Sequence, residues 1–327
     1  MSGFMAGAGR MLKTAGGLSL SIANGIVGDY LAAEGNGLAQ GMAFYHQGRP
    51  LPLTRRDILA AHPGATGKIV ILVHGLCCNE TLFAFPGKPG VDYGALLQKD
   101  LGYTPYYLRY NTGLHISENG QALAGLMDEL VSVHPERVSE IVLLGHSKGG
   151  LVLRSACHYG RVRGAGWTSL VSRVFHLGSP HLGAPLEKLG NAFTWCLKAI
   201  PSPYTWVAAD FINLRSAAIK DLRFGYTVDE EWRGRDPDAL LTNNRKSVPL
   251  LPNARHYAVA GSLNQDPLHP VSRIMGDILV RVESAVPGAL PEDAGGRAAL
   301  RPGAHAAFRR AQPLRPGGPP GGLRADS

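Results

Sequence analysis

The fold is decided by Ile141-Val-Leu-Leu-Gly-His-Ser147-Lys-Gly-Gly-Leu-Val-Leu153. The apolar run that opens this stretch predicts a buried strand, and residues 150–156 predict a helix. A Gly-x-Ser-x-Gly turn between a strand and a helix forces the serine backbone into strained dihedral angles and presents its hydroxyl above the edge of a sheet. Glycine is required at Gly145 and Gly149 because a Cβ atom there would strike the neighbouring strand or helix. The stretch therefore predicts a nucleophile elbow centred on Ser147.

Strand and helix patterns alternate on both sides of this elbow. Nearly unbroken β-branched and aliphatic residues at 68–74 predict a strand inside a parallel sheet. Residues 117–133 have apolar side chains at helical spacing and predict an amphipathic helix. Further strands are predicted at residues 103–110, 138–144, 172–177, 256–260 and 274–280. The alternation predicts an α/β fold, in which a mostly parallel sheet carries helices on both faces.

The chain divides into three predicted parts. Residues 10–46 predict helix and residues 47–67 a connecting loop. The segment at about 181–250 is rich in aromatic residues, including three of the four Trp, and predicts a helical lid. Residues 291–327 form a tail rich in Pro, Gly and Arg, a composition typical of disorder. The parts are an N-terminal helical extension at 1–60, an α/β domain at 61–290 with a helical lid insertion at about 181–250, and a disordered tail at 291–327.

Composition and charge exclude several classes of function. The net charge of the 327 residues is +8, but six Arg and one Asp lie in residues 297–327, so five of these charges belong to the tail. The remaining charge of about +3 does not indicate a nucleic-acid partner. The chain has no phosphate-cradling loop, no cluster of metal-ligand residues and no dinucleotide fingerprint. We therefore expect no cofactor, no metal and no nucleic acid.

The N-terminal region is a candidate targeting segment. Its charge-free run at residues 14–28 is too short and too polar to span a bilayer, which needs about 20 apolar residues. As a signal peptide it lacks a Leu- or Val-rich middle and a clear cleavage site. The sequence predicts a cytoplasmic protein and leaves peripheral contact with a membrane surface open.

A serine nucleophile also needs backbone donors for the oxyanion that forms on its substrate. His74-Gly-Leu-Cys-Cys78 follows the first predicted strand of the parallel sheet, so this loop is expected beside the elbow. We predict that the amides of Leu76 and Lys148 form the oxyanion hole. The Lys148 side chain is expected in solvent or beside a carboxylate.

The catalytic acid is expected after the serine, because the chain order in this architecture is Ser, acid, His. Asp277 stands at a predicted strand-to-loop junction and is our candidate. Asp236 and Asp238, in the predicted lid, are alternatives.

The catalytic base has several candidates. His305 is the only histidine after Asp277, and it stands in a stretch rich in Pro, Gly and Arg. His256, paired with Asp236 or Asp238, would preserve the chain order but lies in a predicted strand. We interpret His181 as a residue that packs a loop.

Four stretches together resemble bacterial α/β-hydrolase esterases and lipases, in particular those grouped with the GPI inositol-deacylase-like hydrolases. The resemblance covers roughly residues 25–285 and implies an α/β-hydrolase fold and serine-dependent hydrolysis of a carboxylic ester by Ser147. It places Asp277 in the family's Gly-Asp-Gly-Leu-Val motif, with Ile278 in place of the second glycine. The stretches are His74-Gly-Leu-Cys-Cys-Asn79, Tyr107-Leu-Arg-Tyr-Asn-Thr-Gly-Leu-His-Ile116, Gly145-His-Ser-Lys-Gly-Gly150 and Leu177-Gly-Ser-Pro-His-Leu-Gly-Ala-Pro-Leu-Glu-Lys-Leu-Gly190.

Three hypotheses about function follow. The first is a serine esterase or lipase that works through an acyl-enzyme on Ser147, with Asp277 and His305 as the other members of its triad. The aromatic lid favours a hydrophobic acyl chain, and hence an ester or lipid substrate. The second is a protein of the same fold that lacks a working base and only binds lipid or a partner. The third is an acyltransferase that uses the same serine. The oligomeric state is not predicted.

Overall fold

The computed structural model of the chain describes residues 2–85, 90–184, 216–235 and 243–259. Its strands are β1 (Ala43–His46), β2 (Arg49–Pro50), β3 (Lys68–Val73), β4 (Thr104–Arg109), β5 (Glu140–His146), β6 (Val171–Leu177) and β7 (Arg255–Val259). They form one sheet in the order β2-β1-β4-β3-β5-β6-β7. The five strands from β4 to β7 in this order are parallel, and β1 and β2 pair antiparallel at one edge. The carboxyl ends of the parallel strands therefore meet at one edge, where α/β proteins bind their ligands.

Helices connect these strands, and residues at their ends fix where they begin and stop. In the helix Tyr93–Leu101, for example, the Asp92 carboxylate accepts a hydrogen bond of 2.8 Å from the Ala95 amide, and Gly102 ends the helix with a φ of 73°. Two short 3₁₀ turns are Glu80–Phe83 and Asp229–Glu231. The helices are α1 (Ser2–Ala33), α2 (Arg55–Ala61), α3 (Tyr93–Leu101), α4 (Ile116–Val133), α5 (Lys148–Val162), α6 (Trp167–Leu170) and α7 (Ala217–Phe224).

The central strand β3 shows why helices cover both faces. Its successive side chains point to opposite faces of the sheet, and all of them from Ile69 to Val73 are buried. Ile69 and Ile71 pack in the same core cluster as residues of α4 and α5. Leu72 faces the other way and packs with Leu97 of α3. Each such side chain stabilises the fold by roughly 1.5–3 kcal/mol when it leaves water. The predicted α/β architecture is confirmed.

The predicted strands of the parallel sheet are confirmed where they are described, but the start of the chain differs from prediction. The predicted helix at 10–46 ends at Ala33, and residues 43–46 form the strand β1. Phe44 is buried against Tyr106, and its backbone pairs with β4, so tertiary contacts favour a strand here. The predicted loop at 47–67 contains β2 and α2. The predicted strand at 274–280 and the tail lie outside the described residues.

Helix α1 packs on the edge of the sheet that holds the elbow. A Cβ atom on Gly25 would lie 2.4 Å from the Cys77 sulfur, and one on Gly28 would lie 2.0 Å from the Asn111 side-chain oxygen. The two glycines thus let the helix approach these loops closely. No helix in the described part of the chain is long and apolar enough to cross a membrane.

The described part of the predicted lid is partly helical and rests on the body of the fold. It contains α7 and the 3₁₀ turn Asp229–Glu231. The Ser155 hydroxyl of α5 donates to the Thr227 carbonyl, and the Trp232 indole donates to the Ser117 hydroxyl at the start of α4. The division of the chain into extension, domain, lid and tail stays a prediction.

Candidate active site

Ser147 lies between β5 and α5 in a conformation that L-residues rarely adopt. Its φ is 52° and its ψ is −122°. The Ser147 amide donates to the carbonyl of Leu177, at the end of β6, over 2.8 Å, and the Ser147 carbonyl accepts from the Gly150 amide over 3.1 Å. The side chain is partly exposed. The neighbouring strand and the first turn of α5 therefore hold the backbone in the strained form that a nucleophile elbow requires.

The two glycines of the motif are fixed by close main-chain contacts. A Cβ atom on Gly145 would lie 2.6 Å from the Gly150 backbone, inside the first turn of α5. A Cβ atom on Gly149 would lie 2.2 Å from the Val73 carbonyl oxygen, at the end of β3. Both contacts are shorter than any real Cβ atom tolerates, so the prediction that glycine is required at these positions is confirmed.

The loop after β3 lies directly beside the serine. A Cβ atom on Gly75 would lie 3.1 Å from the Ser147 Cβ atom. The next amide, that of Leu76, forms no hydrogen bond with a described residue. Lys148 is the first residue of α5, where a backbone amide has no acceptor within the helix. The two predicted donors thus lie at the same edge of the sheet as Ser147.

The Lys148 side chain differs from expectation. It is fully buried, and its ammonium donates to the carbonyls of Thr112 and Leu114 over 2.7 and 2.8 Å. Burial lowers the pKa of Lys148 to about 7, against the attraction of nearby acidic groups such as Asp221. The expectation of a solvated or carboxylate-paired lysine is wrong, because the loop between β4 and α4 covers the side chain and offers it main-chain oxygens.

The other predicted members of the triad are not in the described part of the chain. Asp277 and His305 lie outside it, and so do the alternatives Asp236 and Asp238. Their roles stay predictions.

His256 and His181 belong to a buried histidine cluster with His176. Nδ1 of His256 lies 3.4 Å from Nε2 of His176, and Nε2 of His256 lies 3.3 Å from the Leu251 carbonyl oxygen. The His181 ring packs edge-on against His176 and is 1% exposed, as expected for a packing residue. Burial lowers the pKa of His256 to about 4 and those of the other two well below their usual value. Both ring nitrogens of His256 thus have a polar neighbour, the His176 ring on one side and the Leu251 carbonyl on the other.

One histidine–carboxylate pair was missed by the sequence analysis. Nδ1 of His115 lies 3.0 Å from Asp221 Oδ1, and Asp221 Oδ2 accepts from the Ile116 amide over 2.7 Å. The His115 ring stacks on Trp232 with 3.5 Å between ring centroids. The pair joins α7 to the start of α4. His115 stands in one of the four stretches that carry the family resemblance, but no local pattern links it to Asp221.

Within the four described ranges, no group of three or more His, Cys, Asp or Glu side chains is arranged to hold a metal ion. The expectation that the site uses no metal stays a prediction.

Comparisons with known proteins give one family match. Residues 92–237 match the model of the PGAP1-like alpha/beta domain. No curated protein matches the chain.

Several solved structures are similar to this chain over part of its length. The lipase BlEst2 of Bacillus licheniformis is 19% identical, with a TM-score of 0.42 over 67% of this chain and 78% of that chain. A lipase-esterase related protein of Clostridium acetobutylicum is 16% identical, with a TM-score of 0.31 over 49% of this chain and 73% of that one. An esterase of Pyrococcus furiosus is 20% identical, with a TM-score of 0.29 over 46% and 53% of the two chains.

The family match agrees with the geometry. The matched region contains β4, β5 and β6 together with the elbow at Ser147. The parallel sheet, the helices on both faces and the strained serine after β5 are the features of one known architecture. The chain has an α/β-hydrolase fold and resembles the PGAP1-like hydrolases.

Proposed function

We propose that this protein is a serine hydrolase that cleaves carboxylic esters through an acyl-enzyme on Ser147, as esterases and lipases do. The observation that carries the proposal is the strained, partly exposed Ser147 beside the loop that contains Gly75. The amides of Leu76 and Lys148 are the donors for the oxyanion. The match of residues 92–237 to a PGAP1-like alpha/beta domain gives further support.

The reaction would proceed in two halves. The Ser147 oxygen attacks the ester carbonyl carbon, and the carbonyl oxygen becomes an oxyanion that accepts hydrogen bonds from the two amides. The positive end of the α5 dipole stabilises the same charge. The bond to the alcohol then breaks, and the acyl group stays on Ser147. Water attacks the acyl-enzyme in the second half, releases the acid and restores the serine.

Proton transfer is assigned to residues predicted from sequence. His305 would take the proton of Ser147 and give it to the leaving alcohol, and Asp277 would orient His305. The loss of one oxyanion donor raises the barrier of such reactions by about 3 kcal/mol. The two amides therefore account for much of the expected acceleration over the uncatalysed reaction.

The substrate class is an ester or lipid with a hydrophobic acyl chain. This rests on the aromatic residues of the predicted lid, of which Phe224, Tyr226 and Trp232 are in the described part of the chain. A cytoplasmic location, with peripheral membrane contact left open, also rests on the sequence.

The proposal is tested by ester hydrolysis. We expect wild-type protein to hydrolyse p-nitrophenyl esters and the Ser147→Ala variant to lose this activity. Ser132→Ala is the matched control, because it also removes a serine hydroxyl, but one that donates to the Glu129 carbonyl within α4. Equal rates for wild type and Ser147→Ala would rule the proposal out.

Two other outcomes separate the alternatives. A protein that lacks turnover but is stabilised against heat by a lipid would be a binding protein of this fold. Transfer of the acyl group to an added alcohol in preference to water would identify an acyltransferase.

A further inference from the structure

Residues 110–114, between β4 and α4, form a loop that joins the two halves of the proposed oxyanion hole. We call it the bridging loop. Among its residues, Tyr110 and Thr112 are fully buried. One half of the hole is the loop after β3 with the Leu76 amide, and the other is the start of α5 with the Lys148 amide. The bridging loop contacts both.

Its contacts to the first half are made by two side-chain hydroxyls. The Thr112 hydroxyl accepts a hydrogen bond of 3.2 Å from the Cys77 amide, next to Leu76. The Tyr110 hydroxyl donates to the His74 carbonyl over 2.8 Å. Cys77 has a φ of 58°, a conformation that costs a non-glycine residue energy and persists only where neighbours hold it. Thr112 is one such neighbour.

Its contacts to the second half are made by main-chain oxygens. The carbonyls of Thr112 and Leu114 both accept from the side-chain nitrogen of Lys148, over 2.7 and 2.8 Å. The side chain of Lys148 thus ties the first residue of α5 to the bridging loop. Thr112 touches both halves, the first through its hydroxyl and the second through its carbonyl.

The bridging loop is itself fixed. The Asn111 side chain donates to the Gly28 carbonyl of α1 over 2.8 Å and accepts from the Gly113 amide over 3.0 Å. The Asn111 carbonyl accepts from the Asn119 side chain of α4 over 3.0 Å. Anchors on α1 and α4 make the loop a firm support for the two halves.

We propose that Thr112 and the Lys148 side chain are positioning residues that set the distance between the two amide donors of the oxyanion hole. The proposal deepens the proposed esterase function and rests on it. Oxyanion donors accelerate a reaction only when they already point at the position of the developing charge, and a displacement of a fraction of an ångström weakens them. Neither side chain needs to touch the substrate to have this effect.

The test compares Thr112→Val with Thr112→Ser in the full chain. Valine has nearly the shape of threonine but cannot accept from the Cys77 amide, whereas serine can. We expect Thr112→Val to lower kcat for a p-nitrophenyl ester about tenfold, with KM within about twofold of wild type. Thr112→Ser should recover most of kcat. Lys148→Met should also lower kcat with little change in KM.

A loss of stability alone is separated from this effect by the control Thr104→Val, at the amino end of β4. It removes the buried hydroxyl that accepts from the Thr66 amide over 2.9 Å, so it should lower the melting temperature while kcat, measured well below that temperature, stays at the wild-type value. Wild-type kcat in Thr112→Val, in a protein that hydrolyses esters through Ser147, overturns the inference and leaves the proposed function standing. Thr112→Val and Thr112→Ser proteins with equal losses of kcat overturn it too. A wild-type protein without Ser147-dependent hydrolysis overturns both.

Discussion

Two sides of the sheet are built from different contacts. Where β3 and β5 end, the contacts are between main-chain atoms, as where Gly149 meets the Val73 carbonyl. Beside β6 and β7 they are between imidazole rings, since His176 lies near the end of β6, His181 follows that strand, and His256 is the second residue of β7. The first side should therefore be sensitive to added volume and the second to added protons.

The largest effect is expected from volume on the first side. Gly149→Ala places a Cβ atom 2.2 Å from the Val73 carbonyl oxygen, and neither backbone segment can yield without moving a strand. We expect a loss of about 3 kcal/mol or more in the free energy of unfolding, measured with urea.

Gly125→Ala is the matched control for that substitution. Gly125 lies in α4 with no atom within 4 Å of an added Cβ. Alanine should stabilise the helix by about 0.5–1 kcal/mol, because it favours helix over the unfolded chain. Equal losses in the two variants would contradict the importance of the contact at Gly149.

Acid should weaken the second side. Burial lowers the pKa of His256 to about 4, whereas the unfolded chain has a histidine pKa of about 6.5. The unfolded state therefore binds more protons between these values, and stability falls as pH drops from 7 towards 4. For this one residue the free energy of unfolding should fall by about 2 kcal/mol between pH 7 and pH 5.

The measurement is urea unfolding at both pH values, for wild type and for His256→Gln. The variant should lose less stability on acidification, because one of the buried imidazoles is gone. A wild-type free energy of unfolding that is the same at pH 7 and pH 5 would contradict a neutral histidine cluster.

A smaller effect is expected at the pair that joins α7 to α4. The Asp221 carboxylate lies 3.0 Å from Nδ1 of His115 and accepts from the Ile116 amide over 2.7 Å. Asp221→Asn removes the charge of this carboxylate and so weakens both contacts. With Asp221 1% exposed, we expect a loss of about 1–3 kcal/mol in the free energy of unfolding.

Asp128→Asn provides the comparison for this pair. A carboxylate oxygen of Asp128 lies 3.8 Å from a guanidinium nitrogen of Arg163, and both side chains are about half exposed. Such surface pairs contribute about 0–1 kcal/mol. Equal losses at the two positions, measured by urea unfolding, would show that burial of Asp221 is irrelevant.

Local patterns in the sequence predicted some of these structural features and missed others. The elbow was predictable because its glycines and serine are neighbours in the chain and its steric demands are local. The contact of Lys148 with Thr112 was not, because the two residues are 36 positions apart. His176 and His256 approach each other only because β6 and β7 pair in parallel. The strand β1 was missed because its partner β4 supplies the contacts that favour it.

The proposed function requires that the fold present Ser147 as a reactive nucleophile. Its most direct test is treatment of the intact protein with a fluorophosphonate probe, followed by mass mapping of the labelled peptide. Heat-denatured protein and the Ser147→Ala variant are the controls. We expect one adduct, on Ser147, in folded wild-type protein and none in either control. An unlabelled wild-type protein, or a label on another residue, would contradict it.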